Sequence, residues 1–136
     1  MGSRRRGREF AMQFLYSYEL NPGDPDERLD QFWEMNPTDG PVREFASTLA
    51  LGTVGKLDEI DPLIERYTIN WDLDRIALID RSCLRLALYE MLHCDDIPPV
   101  VSINEAVDIA KRFSTAESGK FVNGILDKVK IEEITR

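Results

Sequence analysis

The sequence predicts an all-α protein of about seven helices, arranged as two packed helical subbundles. Three observations carry that expectation. Apolar residues recur three and four positions apart through most of the chain, as one face of a helix requires. Start and stop residues punctuate it at helix-length intervals, at Asn21-Pro22-Gly23, Asn36-Pro37, Asp39-Gly40-Pro41 and Ile97-Pro98-Pro99. No stretch alternates apolar and polar residues long enough for a strand; Val100-Val101-Ser102-Ile103 is too short.

Taken in order, the first helix is expected from about Ser3 to Leu20. Phe10 and Phe14, with Ala11, Leu15 and Tyr18, form an apolar face, while Arg4 and Arg8 share another. Cations at a helix start oppose the macrodipole and cost a few tenths of a kcal/mol each, which an anionic partner would offset. Gly7 lowers helix propensity there, so the arginine run is expected to be partly disordered until an anion binds. The second helix opens with Asp24 as N-cap and Pro25 at its first position, and buries Leu29, Phe32 and Trp33. A long third helix starts at Asp39-Gly40-Pro41 and carries Val42, Phe45, Leu49, Val54, Leu57 and Ile60. Gly52 and Gly55 each weaken it by about 1 kcal/mol relative to Ala, which implies close approach by a neighbouring helix. Pro62 is expected to kink or restart it before Tyr67.

Asp72 reads as the cap of a short turn from Leu73 to Leu78, ahead of a central helix from about Ile79 to His93. Its apolar positions Cys83, Leu84, Leu86, Ala87, Leu88 and Met91 are wide enough to be buried on more than one side. Ser102 with Glu105, and Ser114 with Glu117, read as capping boxes opening the last two helices. Ala106, Ala110 and Phe113 line the first of these; Val122, Ile125, Leu126 and Val129 line the second. Phe121 stands at the edge of that last face beside Lys120, placed either to pack or to stack on a base. The tail from Lys130 to Arg136 is expected to fray.

The 136 residues suit one domain, 1–136, with a composition of 43% hydrophobic and 31% charged residues that fits a soluble, cytoplasmic globular protein. No apolar run reaches the ~18 residues a membrane helix needs, and no export signal is evident. Cys83 and Cys94 therefore read as reduced thiols. His93-Cys94 is the one pair resembling metal ligands and lacks a second cluster, so no metal or cofactor is expected. With one histidine, no phosphate-binding glycine pattern and no nucleophile–base pair, an enzyme is not expected. The net charge of −8 argues against nucleic acid until its distribution is considered. Arg4, Arg5, Arg6 and Arg8 precede the first acid, Glu9, and leave 13 basic against 25 acidic side chains in the rest of the chain. A basic helix end on an acidic body is a localised anion-binding patch, or else a solubilising terminus.

Three segments carry a family likeness. Ile103-Asn104-Glu105-Ala106-Val107-Asp108-Ile109-Ala110-Lys111-Arg112-Phe113, followed by the run from Lys120 to Val129, resembles the C-terminal signature of the NusB family of bacterial transcription antitermination factors. The opening from Arg4 to Leu20 resembles that family's arginine-rich first helix, and the segment from Asp80 to Leu92 its central helix. The resemblance covers roughly half the chain in the family's order. It implies the two-subbundle helical fold and a non-enzymatic RNA-binding role. The RNA would be boxA, a short single-stranded leader element, bound jointly with the small-subunit ribosomal protein NusE. The complex would act with other Nus factors on elongating RNA polymerase, notably in ribosomal RNA synthesis. By position, the resemblance implies an RNA surface of Arg4, Arg5, Arg6, Arg8, Tyr67, Arg85, Glu117, Lys120 and Phe121. It implies NusE contacts at Tyr16 and Asp80, and an acidic patch around Asp74 and Asp80 would complement a basic ribosomal protein. Four phosphate contacts by the arginines would give a log–log salt slope of about −3 on single-stranded RNA. A helical protein–protein adaptor without specific RNA binding is the alternative.

Overall fold

Local chemistry places four helix starts where a side chain or a proline can serve the exposed backbone groups. The protein is seen as a computed structural model that describes residues 2–68 and 72–135. Its α-helices are α1 Ser3–Leu20, α2 Pro25–Met35, α3 Gly40–Gly55, α4 Leu57–Tyr67, α5 Leu78–His93, α6 Pro99–Phe113 and α7 Ala116–Glu133. A 3-10 turn, Leu73–Arg75, precedes α5, and no strand occurs among the described residues. The fold is all-α with seven helices, as the periodicity predicts.

Helix contacts fall into two groups, α1 with α2 and α3, and α4 with α5, α6 and α7. The central helix α5 joins them by packing on α1 and α3 as well as on its own group. That explains its wide apolar stripe: Cys83, Leu84, Leu86, Ala87, Leu88 and Met91 are all buried. Burial of each large aliphatic side chain contributes about 1.5–3 kcal/mol. Between α1 and α2 the core is aromatic, with Phe10, Phe14, Phe32 and Trp33 meeting edge to face at centroid distances of 5.2 to 6.2 Å.

Several boundaries differ from expectation. The long third helix is two helices, broken at Lys56 rather than at Pro62. Pro62 lies inside α4 without ending it. Gly52 is a close approach: a Cβ there would lie 2.2 Å from the Tyr89 ring of α5. Gly55 meets nothing within 4 Å, so its neighbour explanation fails; it is the last residue of α3. Neither predicted capping box forms. Helix α6 begins at Pro99, three residues before Ser102, because proline suits a first helical position whose amide would be unsatisfied anyway. In α7 the cap is Thr115, whose hydroxyl accepts from the Ser118 amide at 3.1 Å; Glu117 lies exposed in the first turn. Asp72 stands before the 3-10 turn but gives it no side-chain cap. The tail is helical through Glu133, while Arg136 lies outside the described residues.

Helix α1 also starts at Ser3, so the arginine run is ordered and not folded only by a partner. Gly7 is the reason this end can dock. A Cβ on Gly7 would lie 2.6 Å from Cδ2 of Phe45, so glycine lets α3 lay that ring against the α1 backbone. Arg4 and Arg8, one turn apart, cover the same ring with guanidinium-to-centroid distances of 4.9 and 5.5 Å.

Candidate nucleic-acid interface

The first turns of α1 hold four arginines and no acid, so the helix itself does not compensate their charge. Other helices do. Arg6 lies 3.6 Å from Asp39 at the start of α3 and reaches the Thr38 hydroxyl at 3.3 Å. Arg5 donates to Glu105 from its Nε at 3.0 Å and to Asp108 from its Nη2 at 2.9 Å, both on α6. Arg8 is buried, and its Nε and Nη2 donate to the two oxygens of Glu90 on α5 at 2.8 and 2.9 Å. Ser102 of α6 donates to the same carboxylate at 3.0 Å, and Arg8 also reaches Glu105 at 3.1 Å. Ser102 and Glu105 thus serve an interior ion network, not a helix cap.

This network corrects the expected role of Arg8. Its guanidinium is spent inside the protein, clamping α1 to α5 and α6, and does not face a phosphate. Burial is the largest single influence and works against its charge, yet the hydrogen bonds and charges of Glu90 and Glu105 together outweigh it and its pKa is raised. The Arg5 hydrogen bond, which outweighs burial, and the Arg8 charge hold Glu105 below the ordinary glutamate range. Arg4 and Arg6 are exposed, and Arg5 is partly so.

Alongside runs α6, parallel to α1: Arg5 meets residues 105 and 108, and Glu9 accepts from Arg112 at 2.7 Å. One turn beyond Asp108, Lys111 lies across the start of α7. A Cβ on Gly119 would come within 2.6 Å of its Cγ, so the absence of a side chain there gives Lys111 its seat. Next to Gly119 stand Lys120, exposed, and Phe121, half-buried against the core edge. Glu117, also exposed, is 3.5 Å from Lys120. The arginine end of α1, the outer face of α6 and the first turns of α7 therefore form one continuous path. Lys111 is the link that sequence reasoning missed; its place three residues after an acid that meets Arg5 depends on which helix α6 packs beside.

The other candidates stand elsewhere. Arg85 is buried, donating to Asp61 at 2.8 and 3.0 Å and to Glu19 at 3.0 Å, so it ties α5 to α4 and α1 and does not join an RNA surface. Tyr67 donates to Glu133 at 2.6 Å, twelve residues along α7 from Phe121 and so about 18 Å from it. Asp80 is buried too; burial raises its pKa and a hydrogen bond from Ser118 opposes the rise. Asp74 is exposed on the 3-10 turn, so the two acids do not make the shared outward patch expected of them. Tyr16 is exposed and lines a groove of about 560 Å3 with Tyr18, Phe32, Met35, Ile79 and Phe113. Among the described residues no three of His, Cys, Asp and Glu gather as metal ligands, and no helix is long and apolar enough to cross a membrane.

Seven helices in this arrangement, with a charge-compensated arginine helix end beside a basic and aromatic turn, define an all-α protein with a basic surface at one end of the bundle. The NusB family model matches residues 5–130, and the chain belongs to the NusB family. It is 47% identical over 131 residues to the transcription antitermination protein NusB of Desulfatibacillum aliphaticivorans, covering 96% of this chain and 92% of that one. Against the namesake from Myxococcus xanthus it is 47% identical over 135 residues, covering 96% of each. The solved structure of T. maritima NusB superposes with a TM-score of 0.87 at 41% identity, covering 97% of this chain and 93% of that one. A structure of NusB and NusE in complex with dsRNA superposes at 0.84 with 29% identity, covering 95% and 96%.

Proposed function

We propose that this antitermination protein binds boxA-type single-stranded RNA jointly with NusE, and that the complex acts on elongating RNA polymerase, notably during ribosomal RNA synthesis. The observation that carries this reading is the continuous path from Arg4, Arg5 and Arg6 across Lys111 to Lys120 and Phe121. Cations on phosphates and an aromatic edge for an unstacked base are what single-stranded RNA needs. The related structure of NusB and NusE in complex with dsRNA supports NusE and RNA as partners, while the single-stranded form rests on the aromatic edge at Phe121. Arg8 and Arg85 act as internal supports for the helices that carry this surface, and Tyr67 contributes from the far end of α7 if the RNA extends there. The groove beside Tyr16 is the surface offered to NusE, with Asp74, exposed on the 3-10 turn, as a further contact. Each protein would present part of one binding groove, so neither alone need bind tightly.

Fluorescence anisotropy with boxA RNA and a scrambled strand, with and without NusE, tests this reading. Tighter and sequence-selective binding in the ternary mixture is expected. Equal, weak binding to both strands, unmoved by NusE, would leave a helical adaptor with a basic end.

A further inference from the structure

We propose that Asp108 is an intramolecular stand-in for an RNA phosphate, occupying Arg5 until RNA displaces it and so setting the affinity of the arginine helix. The inference rests on the RNA-binding reading above and adds a residue that acts against binding.

The geometry separates the two carboxylates that hold Arg5. Glu105 is mostly buried and is shared with Arg8, which is itself locked to Glu90. It has a second cation and little access to water, so it stays. Asp108 has a side chain 53% exposed and meets Arg5 through one oxygen at 2.9 Å. Carboxylate and phosphate oxygens present the same kind of acceptor to a guanidinium. Nη2 has two hydrogens, one toward Glu105 and one toward Asp108, so an incoming phosphate can take the place of Asp108 while Glu105 keeps its bonds from Nε and Nη2 and the helix stays docked. Arg5 is then the arginine whose contact depends on an exchange, whereas Arg4 lies over an aromatic ring and Arg6 stands 3.6 Å from its acid. An exposed ion pair is weak, so the exchange is accessible and its removal should be measurable as about a two- to fivefold change in affinity. Phosphate contacts carry no sequence information, so the change should be the same on any single strand.

The test is a double-mutant cycle in RNA anisotropy, with Asp108→Asn, Arg5→Ala and the double variant on boxA and scrambled strands. Asn keeps the size of an exposed side chain, so folding is not at issue. The proposal expects D108N to tighten both RNAs about two- to fivefold in the Arg5 protein, and to have no such effect once Arg5 is Ala. An equal gain in both backgrounds would mean that Asp108 merely repels RNA through space and would overturn the exchange. No gain in either background, with the unmodified protein still binding boxA, would also overturn it and leave the RNA-binding reading intact. Absence of RNA binding by the unmodified protein removes both.

Discussion

Arg8→Ala withdraws a guanidinium from a carboxylate, Glu90, that is 1% exposed. The charge of Glu90 then depends on the Ser102 hydroxyl and other short-range contacts in a site with little water. Removing one member of a buried, doubly hydrogen-bonded pair costs about 3–5 kcal/mol, because the remaining charge stays desolvated. The loss of Arg8 packing against Phe45 adds to this. For 136 residues, that corresponds to a fall in Tm of roughly 10–17 °C. Urea unfolding should show the midpoint moving with the m-value unchanged. Replacing both partners, Arg8→Met with Glu90→Leu, should cost less than Arg8→Ala alone, since no charge is left inside. RNA binding separates the internal role from a phosphate contact. Well below the transition, Arg8→Ala should leave the salt slope unchanged, whereas Arg6→Ala should reduce its magnitude by about 0.7. A stability loss under about 1 kcal/mol would mean that Glu90 reaches water in the variant, and the buried-network reasoning would be refuted.

Gly7→Ala gains helix propensity but places a Cβ 2.6 Å from the Phe45 ring, so a net loss of about 1–2 kcal/mol is expected in thermal unfolding. Glu105 has a depressed pKa when folded, so it contributes stability that is complete above the ordinary glutamate range and is lost as the pH falls below it. Melting curves between about pH 6 and pH 3 should show this loss, and Glu105→Gln should flatten it. Lys111→Ala should weaken boxA and scrambled RNA alike and lower the salt slope by about 0.7, with Tm nearly unchanged because the side chain is exposed.

The elements themselves are legible because each has an apolar stripe and three of the seven, α2, α3 and α6, have a proline or an Asp at the start. Asp24 and Asp39 do accept from the amides of Glu27 and Val42, as their positions before Pro25 and Gly40-Pro41 suggest. The capping boxes failed for a physical reason. Ser and Glu three residues apart are also what an interior ion pair needs on one helix face, and Ser102 and Glu105 face Glu90, Arg8 and Arg5 instead. Nothing local distinguishes the two uses. The same holds for the arginines. Arg4, Arg5, Arg6 and Arg8 read alike in sequence, and only the packing of α1 on α5 and α6 turns Arg8 inward. Asp80 and Arg85 stand on binding surfaces only by position in the family resemblance, whereas α5 is enclosed on nearly every side and buries both. Gly7 looked like a weakness in α1, and its purpose needed Phe45, 38 residues later in the chain, to become visible.

The most direct measurement is the titration of isotope-labelled protein with boxA RNA, followed by backbone amide shifts in NMR spectra. Perturbations concentrated at Arg4 to Arg6, Lys111 and Gly119 to Phe121 are predicted, with the groove around Tyr16 and Met35 responding only when NusE is added. Perturbations centred on that groove with RNA alone, and none along the α1–α6–α7 path, would contradict the account.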